Sequence, residues 1–166
     1  MLGVRGNMRL TIVNIIFTLA VFLLSPPSWS NPEDDALVFV KNTGIGNNLE
    51  RIAIRVAMDT QTYRMINADV GKTAAANLVK KHIKITTRDY QDEWNENLAA
   101  SYLEYLSAEE LNSIYNDKKS SPYLEKFQAR QNDVGASMQH RSKNLLQKVV
   151  SEAMKNAFTE SATSNK

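Results

Sequence analysis

The feature that most limits how this chain can fold is an apolar residue at every fourth position between residues 90 and 106. The members of this stripe are Tyr90, Trp94, Leu98, Tyr102 and Leu106. An α-helix brings residues i and i+4 to the same side, so the five side chains share one helix face. Strands would instead show apolar and polar residues in alternation, which this sequence lacks. The stripe therefore predicts an all-α protein with this face in the core.

Polar residues predict where this helix and its neighbours begin. The two threonines at residues 86–87 precede the stripe and carry hydroxyls of the kind that cap a helix N-terminus. After the stripe, Ser107 and Glu110 form an S-x-x-E capping box, in which each side chain satisfies a free backbone N–H group. The Ser-Pro pair at residues 121–122 predicts one more helix start, because proline is tolerated in a first turn.

Apolar residues keep helical spacing on both sides of this stretch. They predict a short helix that ends near Gly44, a helix over residues 45–66, another over 73–85, and a long helix after Pro122. Gly135 lies inside the long helix and is expected to mark a bend or a break. We therefore expect an all-α, single-domain bundle of about five helices with a long C-terminal helix.

Residues 1–30 have the charge and hydropathy order of a secretory signal peptide. Two arginines precede an apolar run from Leu10 to Leu24, and the small residues Ser28 and Ser30 follow it. A retained membrane anchor is the alternative, but this run is shorter than the roughly 20 residues that span a bilayer. We therefore expect cleavage after Ser30, release into the periplasm, and no stable membrane anchor after leader removal.

The remaining chain is predicted to comprise a helical domain, residues 31–158, and a flexible polar tail, residues 159–166. It has no cysteine, so its stability cannot depend on a disulfide. Without the two leader arginines, its 18 Lys and Arg residues match its 18 Asp and Glu residues. This neutrality argues against a nucleic-acid partner, which requires an excess of positive charge to displace counterions from phosphates.

Charges of like sign are grouped along the sequence. Residues 70–88 and 118–155 are each net positive, whereas residues 89–117 contain eight acidic residues and no basic one. One interpretation is an antiparallel bundle in which neighbouring helices match charge. The other is an acidic face that attracts a basic protein partner. The candidate residues of this face are Asp89, Asp92, Glu93, Glu96, Glu104 and Glu109.

Four aromatic residues of the same region could line a ligand groove instead of only filling the core. They are Tyr90, Trp94, Tyr102 and Tyr105. Aromatic side chains are common in ligand pockets, although a stripe with helical spacing is more often core. Both interpretations remain open from the sequence.

The sequence offers little for catalysis or for metal binding. His82 lies on an apolar stripe and is expected to be a packed histidine, while His140 and Asp133 are too few to hold a metal. Glu104, Glu109 and Glu110 are candidate acids for cleaving cell-wall glycan, but all three are expected to be exposed, whereas a general acid needs a buried carboxylate with a shifted pKa. No cofactor motif occurs. We therefore predict no catalytic residue, cofactor or metal.

A group of residues around the capping box resembles a motif of an exported bacterial family, domain of unknown function 2059. The residues are Tyr102, Leu106, Ser107, Glu109, Glu110, Leu111, Ile114, Ser121, Pro122 and Lys126. The resemblance covers about a quarter of the chain after the leader. It implies export and an all-helical domain with a long last helix, and it implies no activity.

These features together predict a non-enzymatic periplasmic protein that binds another protein. The most specific form of this hypothesis is an immunity-type inhibitor of a toxin that acts on the envelope. The alternatives are an envelope enzyme acting on cell-wall glycan and a carrier of a small apolar ligand.

Overall fold

The computed structural model describes residues 31–164, and this range contains helices and no strand. The helices are α1 (Pro32–Thr43), α2 (Leu49–Met58), α3 (Gln61–Val70), α4 (Lys72–Leu103), α5 (Ala108–Asp117), α6 (Leu124–Ala129) and α7 (Gln131–Ser164). A 3-10 turn, Lys118–Ser120, joins α5 to α6. The all-α prediction is confirmed, although the described range has seven α-helices where about five were expected. The predicted signal peptide lies outside the described residues.

Two long antiparallel helices, α4 and α7, form the centre of the molecule. At 32 and 34 residues, each is about 50 Å long. Four side-chain contacts show the antiparallel arrangement, because the start of α4 contacts the end of α7 and the end of α4 contacts the first half of α7. The pairs are Lys81 with Glu160, Tyr90 with Glu152, Ser101 with Ser137, and Glu104 with Arg141. Helix α1 packs against both α4 and α5. Helices α2 and α3 each contact both long helices.

The core has an aromatic part and a part rich in alanine. In the first, Phe39, Tyr102 and Phe127 contact one another, with ring centroids 5.5–6.0 Å apart. In the second, small buried side chains line the contacts of α2, α4 and α7: Ala53, Ala57, Ala75, Ala153 and Ala157. Since these side chains are short, the helix backbones can approach closely there. Tyr90 and Leu146 contact both parts.

The apolar stripe is buried as its spacing predicts, but the start of its helix was placed wrongly. Trp94, Leu98, Tyr102 and Leu106 are buried, and Tyr90 is half-buried. Residues 86–87 do not cap a helix, because α4 continues through them from Lys72. Both threonines are buried in the helix interior, and the Thr87 hydroxyl donates to the Lys84 carbonyl. Tertiary burial outweighed their capping tendency.

The helix predicted over residues 45–66 is divided into two. Thr60 caps α3: its hydroxyl oxygen accepts from the Tyr63 N–H at 3.2 Å and its O–H donates to the Ala57 carbonyl at 2.7 Å. This one side chain therefore serves the end of α2 and the start of α3.

The long C-terminal helix also differs from the prediction. It is interrupted at Arg130, between α6 and α7, and it passes through Gly135 without a break. At its other end α7 continues to Ser164, and the buried Ser161 hydroxyl donates to the Phe158 carbonyl at 2.8 Å. The boundary predicted at residue 158 therefore does not coincide with the end of the helix.

The capping box at the start of α5 is confirmed. The Glu110 N–H donates to Ser107 Oγ at 3.3 Å, and the Ser107 N–H donates to Glu110 Oε2 at 3.0 Å. Lys126 of α6 also binds the Glu110 carboxylate, at 2.7 Å, so the box ties two helices together. The start of α5 thus depends on side chains that the sequence itself identifies.

Replacing Ser107 with alanine is expected to lower the free energy of unfolding by about 1 kcal/mol, because one backbone N–H of the first turn loses its acceptor. The midpoint of urea denaturation measures this loss. Ser120→Ala is the matched control, since Ser120 is exposed and its side chain makes no hydrogen bond within the described residues. Equal midpoints for the two variants would contradict the assigned role of Ser107.

Candidate functional site

An open groove of about 830 Å³ lies between α2, α4 and α7. Its floor is the buried stripe of α4, namely Trp94, Leu98 and Tyr102. Ile52 and Val56 of α2 form one wall. The floor side chains are only 1–8% exposed, whereas Val56 of the wall is 40% exposed and the groove is open on one side, as binding grooves are.

The second wall belongs to α7, where two parallel rows of residues repeat at every fourth position. The inner row is Val134, Met138, Ser142, Leu146 and Val150, and the outer row is Gln131, Gly135, Gln139, Lys143, Gln147 and Ser151. From residue 131 to residue 151 these rows run about 30 Å. The inner row makes the wall mostly apolar, and the outer row gives it a polar rim.

Hydrogen bonds hold the groove floor in place. The Trp94 indole N–H donates to Asn48 Oδ1 at 2.9 Å, in the segment that joins α1 to α2. The Tyr102 hydroxyl donates to Gln131 Oε1 at 3.3 Å. Gln91 Nε2 donates to the Gly46 carbonyl at 3.0 Å, which fixes the same segment on α4. The groove is therefore formed by side chains that pack against and hydrogen-bond to other parts of the same chain.

The groove carries positive charge at its rim. Lys143 is the one charged residue among those that line it, and within residues 31–164 it makes no ion pair. Arg55 lies three residues after Ile52, at the spacing that places side chains side by side on a helix. Asp59, at the C-cap of α2, lies three residues after Val56, at the same spacing.

Two of the four aromatic residues predicted for a groove line it, and two do not. Trp94 and Tyr102 form the floor. The Tyr90 hydroxyl donates to Glu152 at 2.8 Å, which raises the pKa of Tyr90, and the Lys148 ammonium lies 5.0 Å from its ring. Tyr105 lies in a separate depression beside Glu104. Sequence reasoning missed the walls, although the two rows of α7 are visible as four-residue repeats.

The acidic residues predicted to form one face fall into three places. Asp89, Asp92, Glu93 and Glu96 are all exposed on one side of α4, where they form what we call the acidic stripe. Asp92 pairs with Lys41 of α1 at 2.8 Å. No ion pair of the other three occurs within the described part of the chain.

The other two predicted acids lie away from this stripe. Glu104 is at the C-cap of α4, where Arg141 Nε donates to it at 3.0 Å, and this hydrogen bond lowers the pKa of Glu104. Glu109 lies in the first turn of α5, and its hydrogen bond with Ser107 lowers its pKa. Asp92 and Glu104 thus pair with neighbouring helices, as the first interpretation predicts, while the attraction of a basic partner by the exposed acids stays a prediction.

The carboxylates considered for glycan chemistry have the wrong electrostatics for a general acid. The hydrogen bond from Lys126 lowers the pKa of Glu110, and that from Arg141 lowers the pKa of Glu104. A general acid needs a raised pKa to be protonated at neutral pH.

His82, predicted to be packed, is partly buried and its Nε2 lies 2.8 Å from Glu160, a contact that joins α4 to α7.

Comparisons of the chain with protein-family models, curated proteins and solved structures found no match. The resemblance to domain of unknown function 2059 therefore stays a prediction. Within residues 31–164, none of the helices has the length and apolar character required to cross a bilayer. The class defined by fold and site is an all-α protein with an open apolar groove.

Proposed function

We propose that this chain is a non-enzymatic binding protein of the bacterial envelope, and that an apolar segment of another protein enters the groove between α2, α4 and α7. The observation that carries the proposal is the groove itself, about 830 Å³ with an apolar floor, two largely apolar walls and a polar rim. Exposed concave apolar surface of this kind is typical of protein and ligand binding sites.

The proposal includes export to the periplasm and a single helical domain. Export is supported by the leader pattern of residues 1–30. The single domain is supported by Tyr90 and Leu146, which contact both parts of the core. An immunity-type inhibitor is the most specific form of the proposal, because the sequence offers a binding surface and no convincing catalytic set.

A carrier of a small apolar ligand is the second candidate, and the groove volume favours it specifically. About 830 Å³ falls within the 300–1,000 Å³ range of small-molecule sites. Such sites bury most of the ligand surface, whereas this groove leaves one long side open to water. The open side favours a protein segment, whose polar face remains in solvent. An enzyme acting on glycan has less support, because the carboxylates considered for it have lowered pKa values.

Replacing Val56 with glutamate is expected to weaken partner binding by at least about tenfold, because the charge would lose water when an apolar segment covers it. Val56 is 40% exposed, so the free protein should tolerate the change. The measurement is recovery of periplasmic proteins on the immobilised wild type and variants, compared by mass spectrometry.

The matched control for this experiment is Val38→Glu. Val38 is 51% exposed on α1 and does not line the groove. We expect the control to retain the proteins that the wild type retains and Val56→Glu to lose them. If both variants retain the same set, the groove is not the docking site.

A further inference from the structure

We infer that the occupant of the groove is an amphipathic helix of another protein, with acidic residues beside its apolar face. This inference rests on the proposed function and identifies the partner segment for the same site. Four independent features of the groove support it: its open side, its length and row spacing, an unfilled glycine, and its charge.

The open side of the groove favours a ligand that is apolar on one face only. The floor of α4 and the walls of α2 and α7 surround a bound segment on three sides. An acyl chain is apolar all round and would leave part of its surface in water. An amphipathic helix would bury its apolar face and keep its polar face hydrated, as helices in protein grooves do.

The rows on α7 suit a helix in length and in spacing. Residues at i and i+4 form ridges on a helix surface, and helices pack when the ridges of one enter the grooves of another. The inner and outer rows of α7 are two such ridges. Most of the inner row is buried, whereas the outer row is exposed or half-buried from residue 131 to residue 151. This distance, about 30 Å, matches a helix of about 20 residues.

Gly135 lies in the outer row and has no role in the packing of the described protein. A Cβ atom added there would meet no heavy atom within 4 Å, and the backbone is helical with no positive φ. Glycine inside a helix costs about 1 kcal/mol relative to alanine, so this position lowers stability without a packing benefit. An occupant whose backbone approaches α7 closely at this point would explain the missing side chain.

The charge at the rim favours an acidic partner. Lys143 is exposed in the middle of the outer row and unpaired among the described residues, and Arg55 is exposed beside the opposite wall. Asp59 lies three residues after Val56, as Arg55 lies three residues after Ile52, so these two residues give the α2 wall no net charge and Lys143 provides the positive charge of the rim. The chain's own leader is a poor occupant, because its charged residues, Arg5 and Arg9, are both positive. Acidic residues flanking the apolar face would complement Lys143.

The test uses synthetic helical peptides of about 20 residues as probes, with the purified chain as the binder. One peptide has a leucine face flanked by glutamates, the second has the same face flanked by lysines, and the third is a scrambled form of the first. Fluorescence anisotropy of the labelled peptides gives each Kd. We expect the acidic peptide to bind about tenfold more tightly than the basic one, and the scrambled peptide to bind weakest.

Two variants test the named residues. Lys143→Glu should weaken binding of the acidic peptide by about tenfold and strengthen binding of the basic one, whereas Lys84→Glu, an exposed position outside the groove, should change neither. Gly135→Ala should raise the melting temperature yet weaken binding of the acidic peptide. Its control, Asn144→Ala, is an exposed site on the same helix that does not line the groove, and it should leave binding unchanged.

Several results would overturn the inference. Equal binding of the acidic and basic peptides would contradict the inference that the partner segment is acidic. Equal binding of the scrambled peptide would contradict the inference that it is an amphipathic helix. If none of the peptides binds, and dodecanoate binds the groove with an affinity that Gly135→Ala does not change, the occupant is an acyl chain instead. If the peptides fail but Val56→Glu still abolishes recovery of periplasmic proteins, the inference is wrong while the proposed function stands. If Val56→Glu changes neither peptide binding nor the recovery of periplasmic proteins, the inference and the proposed function are both wrong.

Discussion

Replacing Tyr102 with alanine is expected to lower the free energy of unfolding by about 3–5 kcal/mol, the range for deleting a large buried aromatic side chain. Tyr102 is 1% exposed. Its ring stacks on Phe127 with centroids 5.5 Å apart and meets the edge of Phe39 at 5.7 Å. Because small proteins have a total stability of about 5–15 kcal/mol, this one change would remove a large part of it. Urea denaturation followed by circular dichroism measures the loss.

Two further tyrosine variants separate the contribution of the ring from that of the hydroxyl. Tyr102→Phe keeps the ring contacts and removes the 3.3 Å hydrogen bond to Gln131, so it should cost about 1 kcal/mol or less. Tyr115→Ala is the exposed control, at a position 39% exposed on α5, and should cost less than the Tyr102→Ala change. Similar losses for Tyr102→Ala and Tyr115→Ala would mean that the aromatic cluster does not stabilise the fold as its packing indicates.

The features predicted correctly from the sequence are those set by local interactions. The burial of Trp94, Leu98 and Tyr102 follows from helical spacing, since one face of a long helix must pack. The capping box of Ser107 and Glu110 joins residues three apart, so its chemistry is visible in the sequence. These features gave the fold class and one helix start.

The boundaries that were placed wrongly depend on contacts between distant residues. The threonines at residues 86–87 have the chemistry of an N-cap, but they lie where α4 is packed, and burial keeps the helix continuous. Thr60 has the same chemistry and does cap a helix, so residue type alone does not distinguish the two cases. Gly135 was expected to mark a bend or a break, and α7 is not broken there.

The floor of the groove could be predicted from the sequence, but its walls could not, for a related reason. Trp94 and Tyr102 could be selected because they are aromatic and share a face. The walls of the groove depend on how α2 and α7 pack across α4, and no local pattern gives that arrangement. The four-residue repeat from Gln131 to Ser151 was present in the sequence, but a polar repeat on a helix is normally a solvated surface, and only its position beside the apolar floor gives it meaning.

The structure separates the acids of the predicted face into those that form ion pairs and those that do not, and this difference can be tested. The sequence does not distinguish the six candidate acids of the predicted face from one another. In the structure Asp92 pairs with Lys41 and Glu104 with Arg141, so their reversal would disturb packing between helices. Asp89, Glu93 and Glu96 have no ion pair within the described residues, so they can be reversed without breaking one.

Reversing Asp89, Glu93 and Glu96 together to lysine is expected to slow association by about tenfold or more with a partner that turns a basic surface, separate from the acidic helix in the groove, toward the acidic stripe. The reason is that exposed like charges create a field that accelerates encounter. Stability should change by less than about 1 kcal/mol, since exposed charges contribute little to folding. The protein recovered from the periplasm with the wild type serves as the partner, and stopped-flow kinetics at low and high salt give the association rates.

The paired acids provide the control for this triple variant. Reversing Asp92 and Glu104 removes two ion pairs and puts like charges next to Lys41 and Arg141, so this variant should be less stable than the triple variant. Salt distinguishes the two roles, because the field of exposed charges is screened over about 10 Å at 0.1 M and reaches about 30 Å at 0.01 M. The wild-type association rate should therefore fall as salt is added, and that of the triple variant should not. If the triple variant associates at the wild-type rate at low salt, the acidic stripe does not steer a partner, and binding would depend on the groove alone.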